Sequence, residues 1–268
     1  MSRLARLIKE IWQHPLAKGI HVDGANAIEI HRRILRSKPL LRRNYLRWYR
    51  ECFPAFEETK GLRGEVVEIG SGAGFLEEII PGLVKTDVVP SPYASRVVDA
   101  MKLDFGDETL RCIFLIGVLH HIPLPGKFLH EAARCLVPGG RLVMVEPNNS
   151  FLQRFLTRHL DHYEYFDDNI EDWVNGSTGR MDNANLALPW VIFVRDRARF
   201  EKEFPLLKIK PIRYHTFLSY VVTGGMTYRS FLPSFAGPFV DCIEKAASPF
   251  MQKLGTGMTI DVVKMGRN

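Results

Sequence analysis

Residues Val66 to Phe75 read VVEIGSGAGF, and the fold is decided by how this stretch is read. A short apolar run ends on Glu68, and Gly70, Gly72 and Gly74 then alternate with other residues. An apolar strand that runs into closely spaced glycines predicts a tight strand-to-helix turn. Glycine tolerates left-handed backbone and lets a ligand come close to the main chain. FLEEII is the helix expected to follow. A dinucleotide loop of the Gly-x-Gly-x-x-Gly kind would put its third glycine where this chain has Phe75. The carboxylate of Glu68 also suits an ammonium or sulfonium ligand better than a pyrophosphate, because like charges repel.

Outward from this loop the pattern is strand, helix, strand, helix. LVKTDVV predicts the next strand, followed by a proline-rich turn. RCIFLIGVL predicts another strand, HHIPLPG a turn, KFLHEAARCL a helix, VPGG a second turn and RLVMVE a further strand. That order argues for a parallel sheet covered on both faces. Residues 148 to 195, rich in Asn, Asp and aromatics, predict helices and loops. LLKIKPIRY and TGMTIDVVKM read as the last two strands, with a helical stretch near Ser234 to Leu254 between them. Ahead of the loop, helical spacing is expected over residues 2 to 13, from Asn26 to Leu35 and from Pro39 onward. These form a helical cap whose aromatics read as core packing.

The chain has 268 residues, 46% hydrophobic and 25% charged, enough for one large α/β domain with additions. Residues 1 to 60 hold 13 Lys and Arg against 6 acids, leaving 23 against 24 for the rest, so the basic excess is N-terminal. Such asymmetry suits an anionic substrate, an acidic membrane surface, RNA or simply a solvated helix face. Four scattered cysteines without a CxxC pair predict reduced thiols and a cytoplasmic location. No signal peptide or membrane span is expected, since the longest apolar runs are too short.

The run from Val66 to Pro147 resembles the class I S-adenosylmethionine-dependent methyltransferases, especially the small-molecule group called type 11. The resemblance implies that Glu68, Gly70, Ser71 and Gly72 line the methionine part of that cofactor. It places Asp87, 19 positions after Glu68, on the ribose hydroxyls, with Val88 on an adenine face. A carboxylate can accept from both hydroxyls at once. VVDAMKLDF resembles the segment that meets the adenine amino group, which points to Asp99, Ala100 and Met101. IGVLHHI resembles the end of strand four, with Ile116 and Gly117 beside the cofactor, and LVPGGRLVMVEP resembles the turn entering strand five. Arg111-Cys112 departs from the Phe-Asp that often opens strand four. The implied fold is a doubly wound three-layer α/β sandwich with a mostly parallel seven-stranded sheet, its last strand antiparallel. A helical N-terminal cap is expected over residues 1–60. The methyltransferase domain is expected over 61–268, with an acceptor-side insertion at about 148–200.

The expected activity is methyl transfer to a small molecule, sugar or polyketide-like acceptor at oxygen. His120 and His121 are the candidate general bases, since a neutral imidazole can take a hydroxyl proton near pH 7. Packing of one ring and cofactor contact by the other is the competing reading of that pair. Tyr163, Tyr165, Phe166 and Trp173 are the candidate substrate contacts, on the expectation that the cap and the segment after Pro147 together roof the acceptor pocket. His159, Asp161 and His162 lack a further ligand to complete a set, so no metal is expected. The partner expected is a small-molecule or glycan acceptor. Membrane-surface contact through the basic N-terminus stays open, and nucleic acid is disfavoured because no RNA-binding module is recognisable. The alternatives are a nicotinamide-dependent oxidoreductase and a catalytically silent cofactor-binding subunit.

Overall fold

A computed structural model describes residues 11–21, 23–24, 26–159, 164–176 and 181–266. Helix α1 spans Ala27–Ser37 and α2 spans Pro39–Glu58, the latter with proline in its first turn, where a missing N–H costs nothing. The expected helix over residues 2 to 13 lies, apart from its end, outside the described residues. The strands are β1 Glu65–Glu68, β2 Val84–Asp87, β3 Arg96–Val97, β4 Leu110–Ile116, β5 Leu136–Pro147, β6 Leu207–Ile209, β7 Arg213–His215 and β8 Gly257–Lys264. Their order across the sheet is β3-β2-β1-β4-β5-β8-β6, with β7 also pairing β8. The first five run parallel, and β8 joins β5 antiparallel.

Side chains alternate between the two faces of the sheet with the period of two that a strand imposes. Ile113, Leu115, Leu142 and Met144 pack on one face with Phe128 and Leu129 of α3 (Pro125–Cys135). Cys112, Phe114 and Val143 pack on the other with Tyr49, Cys52 and Phe56 of α2. The N-terminal helices thus form one of the two covering layers.

Three elements depart from the sequence reading. The helix expected at FLEEII is a single 3-10 turn, Leu76–Glu78, because Pro81 cannot donate the next backbone hydrogen bond and Gly82 follows it. LLKIKPIRY is two short strands instead of one, broken where Pro211 interrupts the ladder between Ile209 and Arg213. The edge strand β3 has only two residues and carries no sequence signal of its own. Residues after Pro147 form helix α4 (Phe151–His159), loops, and a helical turn at Leu188–Trp190 that leads into α5 (Arg197–Glu203).

Arg141 of β5, 3% exposed, ties three elements together. Its Nε donates to Asp261 Oδ1 on β8 at 2.8 Å, and its guanidinium also pairs with Glu58 at the end of α2. Removing one partner of such a buried pair strands the other charge, at a cost of about 3–5 kcal/mol. Arg141→Ala is therefore expected to lower unfolding stability by that amount in urea titrations. A loss below about 1 kcal/mol would show that the pair holds nothing together.

Candidate cofactor and acceptor site

The loop after β1 is fixed from both sides. Gly70 (φ +69°) packs so tightly that a Cβ there would lie 2.8 Å from the Val118 methyls. The Ser71 N–H and hydroxyl both donate to the Thr86 carbonyl, at 2.8 and 3.0 Å. The Gly72 N–H donates to Asp87 Oδ2 at 2.8 Å, which draws the last residue of β2 into the loop. From the other side, Arg32 of α1 donates to the Ala73 and Gly74 carbonyls, and Tyr49 of α2 accepts from the Phe75 N–H at 3.0 Å.

A second turn follows β4. The Gly117 N–H donates to the Val145 carbonyl, and the next two N–H groups, of Val118 and Leu119, donate to Glu146 Oε1 at 2.9 and 2.7 Å. Glu146 Oε2 lies 2.6 Å from His120 Nδ1, while His120 Nε2 lies 3.2 Å from Glu164. A third turn is closed by Asp99, whose Oδ1 accepts from the Met101 N–H at 2.8 Å.

These turns border one cavity of about 620 Å³ at the carboxyl ends of the parallel strands. Glu68, Gly70, Ser71, Gly72, Asp87, Val88, Asp99, Ala100, Met101, Ile116 and Gly117 all line it. Its remaining wall comes from α1 (Ile28, His31, Leu35), α2 (Tyr45, Tyr49), α4 (Gln153, Leu156, Thr157), Glu164 and residues 220–231. In open α/β sheets this end, where strand order reverses beside β1 and β4, is where ligands sit.

Burial pushes the Glu68 carboxyl up to about 8, against the pull of Lys85. Its Oε2 is buried with no hydrogen-bond partner among the described residues. A buried oxygen of this kind fits a cationic ligand group. The Cβ position of Gly72 (φ +49°) meets only the Gly70 carbonyl oxygen, at 3.9 Å, so the loop leaves room for a ligand against its backbone.

His120 is placed differently from a general base. Burial alone would lower its pKa, but the Glu146 and Glu164 carboxylates on its two nitrogens hold it up to about 10. The ring is therefore a charged clamp at neutral pH, and it does not line the cavity. His121 does line it, with Nε2 3.4 Å from Glu164 Oε1. The ligand-capable atoms of His120, His121 and Glu164 all lie within 4.8 Å of one another, with Glu164 Oε1 3.2 Å from one ring and 3.4 Å from the other.

The aromatic contacts expected from sequence need correction. Tyr163 lies outside the described residues, as do Asp161 and His162. Trp173 is in the core, donating to Asp196 Oδ2 at 2.9 Å beneath the Arg199 guanidinium. Phe166 packs against the same core, and Tyr165 bridges to Asn185. This segment folds back onto residues 184–196, so its aromatics complete packing and Glu164 is what it delivers to the cavity. Tyr45, Tyr49, Tyr220, Tyr228 and Phe231 are the cavity's aromatics instead. The segment 220–231 was not anticipated; its only sequence cue is the pair Gly224-Gly225 in VVTGGMTY. Glu146 was also missed, although an acid closing the apolar run RLVMVE is unusual for a buried strand.

A family model described as "Methyltransferase domain" matches residues 39–178, more than half of the chain. This chain belongs to that family. It is a methyltransferase by domain, its cofactor is S-adenosylmethionine, and the nicotinamide alternative is set aside. No curated protein matches it in sequence. Among solved structures it is similar to the methyltransferase in complex with the Trm112 activator from Haloferax volcanii (14% identity, 91% of this chain and 96% of that one, TM-score 0.48). It is similar too to an S-adenosylmethionine-dependent methyltransferase from Archaeoglobus fulgidus (12%, 82% and 94%, TM-score 0.48). A third is phosphoethanolamine N-methyltransferase 2 of Haemonchus contortus in complex with S-adenosylmethionine (13%, 93% and 61%, TM-score 0.47). The family match, and not these distant pairs, carries the assignment.

The His120 clamp has a pH signature. A pKa raised from 6.5 to about 10 on folding means the native state holds a proton that the unfolded state releases between those values. The stability it contributes is complete below about pH 6.5 and is lost as pH rises through about 10. The stability gap between wild type and His120→Gln should narrow over that window in urea unfolding. A gap independent of pH would show that His120 is not held charged.

Proposed function

We propose that this methyltransferase moves a methyl group to a hydroxyl oxygen of a small, largely apolar acceptor, with His121 as the general base. The observation that carries this reading is that one cavity is lined both by the glycine loop and by apolar side chains (Ile28, Leu35, Leu156, Val221 and Phe231). Such lining favours a polyketide-like or other apolar acceptor over a sugar, whose hydroxyls would go unpaired there.

In this reading Glu68 meets the cationic end of S-adenosylmethionine, the loop at Gly70–Gly72 follows its methionine part through backbone atoms, and Asp87 accepts from its ribose hydroxyls. Asp99, Ala100 and Met101 border its base. When bound, the cofactor supplies an electrophilic methyl group on a sulfonium sulfur. The chain's own work is then to align an acceptor oxygen and remove its proton. Alignment alone can supply much of the rate. As the oxygen gains the methyl, its proton passes to the His121 imidazole, and the Glu164 carboxylate steadies the imidazolium formed. His120, already protonated, positions the turn and takes no proton.

Two measurements test this. Because Glu68 holds a proton up to about pH 8 in the empty protein, a cationic ligand should expel it. Cofactor affinity should therefore rise between pH 6 and 7.5, by at most about tenfold per unit for one proton, with proton release seen by calorimetry in two buffers. Glu68→Gln should flatten that dependence; an equally steep Gln variant would remove Glu68 from the cofactor. For the chemistry, His121→Asn should lower kcat by roughly a hundredfold or more while cofactor affinity stays unchanged. An unaltered kcat would leave alignment, without a base, as the source of catalysis.

A further inference from the structure

Several large apolar side chains are exposed on the elements that border the cavity and on those that follow them in the chain. Phe231 lines the cavity and is still 45% exposed, so it stands at the mouth. Phe235 (83% exposed) and Phe239 follow it, the latter on helix α6 (Gly237–Ala246). On the other side of the mouth, α4 turns Leu156 and Thr157 into the cavity and leaves Phe151 (78% exposed) and Phe155 outside. The turn Met251–Leu254, preceded by the exposed Phe250, packs against α4 and joins the two sides.

The N-terminal segment extends the same surface. The His14 N–H donates to the Thr227 carbonyl, and the Arg229 N–H to the Trp12 carbonyl, so residues 12–14 are zipped along the mouth segment. The Trp12 ring sits 5.5 Å from that of Phe231, with Ile11 exposed beside it.

Charge decides what such a face is for. Arg229, Lys245, Lys253 and Arg158 are exposed on these elements. The two acids of the stretch 218–254, Asp241 and Glu244, are taken up by Arg43 and Arg47 of α2. Protruding aromatics beside these bases match the interface of an anionic bilayer, where rings enter the headgroup boundary and Lys and Arg meet phosphates. Lysine is instead depleted in the cores of protein–protein interfaces. No helix of the described residues is long and apolar enough to cross a membrane, so the contact would be peripheral.

We propose that this face docks on an anionic lipid bilayer, and that the acceptor is a membrane-borne amphiphile drawn into the apolar cavity from the lipid phase. The second half rests on the reading of that cavity as the methyl-acceptor site; the first half does not. The mouth aromatics would seat the opening against the membrane, so that an acceptor with a long apolar tail need not cross water to reach His121.

The test is sedimentation of the full chain with phosphatidylcholine vesicles, with and without phosphatidylglycerol. Wild type is expected to partition onto the phosphatidylglycerol vesicles, with binding weakened by high salt. Phe235→Ser/Phe239→Ser should bind them about tenfold less or worse, with unchanged melting and unchanged S-adenosylmethionine affinity. Those two controls separate the outcomes: lost vesicle binding with intact cofactor binding leaves the methyltransferase reading standing. Failure of wild type to bind anionic vesicles, or equal binding by the double variant, would overturn the docking proposal. So would self-association through these phenylalanines, seen by analytical ultracentrifugation, in place of vesicle binding. If docking holds, full-rate methylation of a water-soluble acceptor with no gain on vesicle-borne substrates would overturn the lipid acceptor.

Discussion

The Ser71 hydroxyl and the N–H groups of Ser71 and Gly72 all bond to the last two residues of β2, Thr86 and Asp87, and the site depends on this stitch. It holds the loop after β1 open at the carboxyl end of the sheet, where a parallel strand order leaves a crevice. Because Asp87 accepts from the Gly72 N–H with Oδ2 and from the Val89 N–H with Oδ1, its side chain is fixed in direction before any ligand arrives. Arg32 and Tyr49 hold the far side of the same loop from the two N-terminal helices. The segment that reads as a cap in sequence is therefore part of the frame of this loop.

Two buried carboxylates divide the electrostatic work. Glu68 is desolvated and leaves one oxygen unmatched, an arrangement that costs stability. Glu146 is fully satisfied, by two backbone N–H groups and the His120 ring. It fixes the turn that brings Gly117 and His121 to the cavity. One acid is left unmatched at the cavity wall; the other is spent on geometry. The neighbouring histidines divide in the same way, since His120 lies between two carboxylates and His121 meets one at the cavity wall.

The local part of this architecture was legible in the sequence, because strand period, glycine spacing and an acid after each strand are local signals. Glu68, Asp87, Asp99 and Gly117 converge on one cavity as the motif order implies. The rest was illegible for physical reasons. Whether His120 or His121 faces the cavity depends on Glu146 and Glu164, 26 and 44 residues further along the chain. Trp173 is as aromatic as any substrate contact, and only its bond to Asp196 reveals a packing role. Residues 220–231 carry no repeating pattern, since an irregular segment that walls a cavity is shaped by its long-range contacts. Pro211 and Pro81 break the strand and the helix that the apolar patterns around them predict.

The account stands or falls on where the cofactor sits, and a crystal structure with S-adenosylhomocysteine addresses that most directly. The expected result is the product lying along Gly70–Gly72, with its amino group toward Glu68, its ribose hydroxyls on Asp87, and its sulfur turned toward the part of the cavity that His121 and Glu164 border. Product bound away from that loop, or with Asp87 and Glu68 untouched, would contradict it.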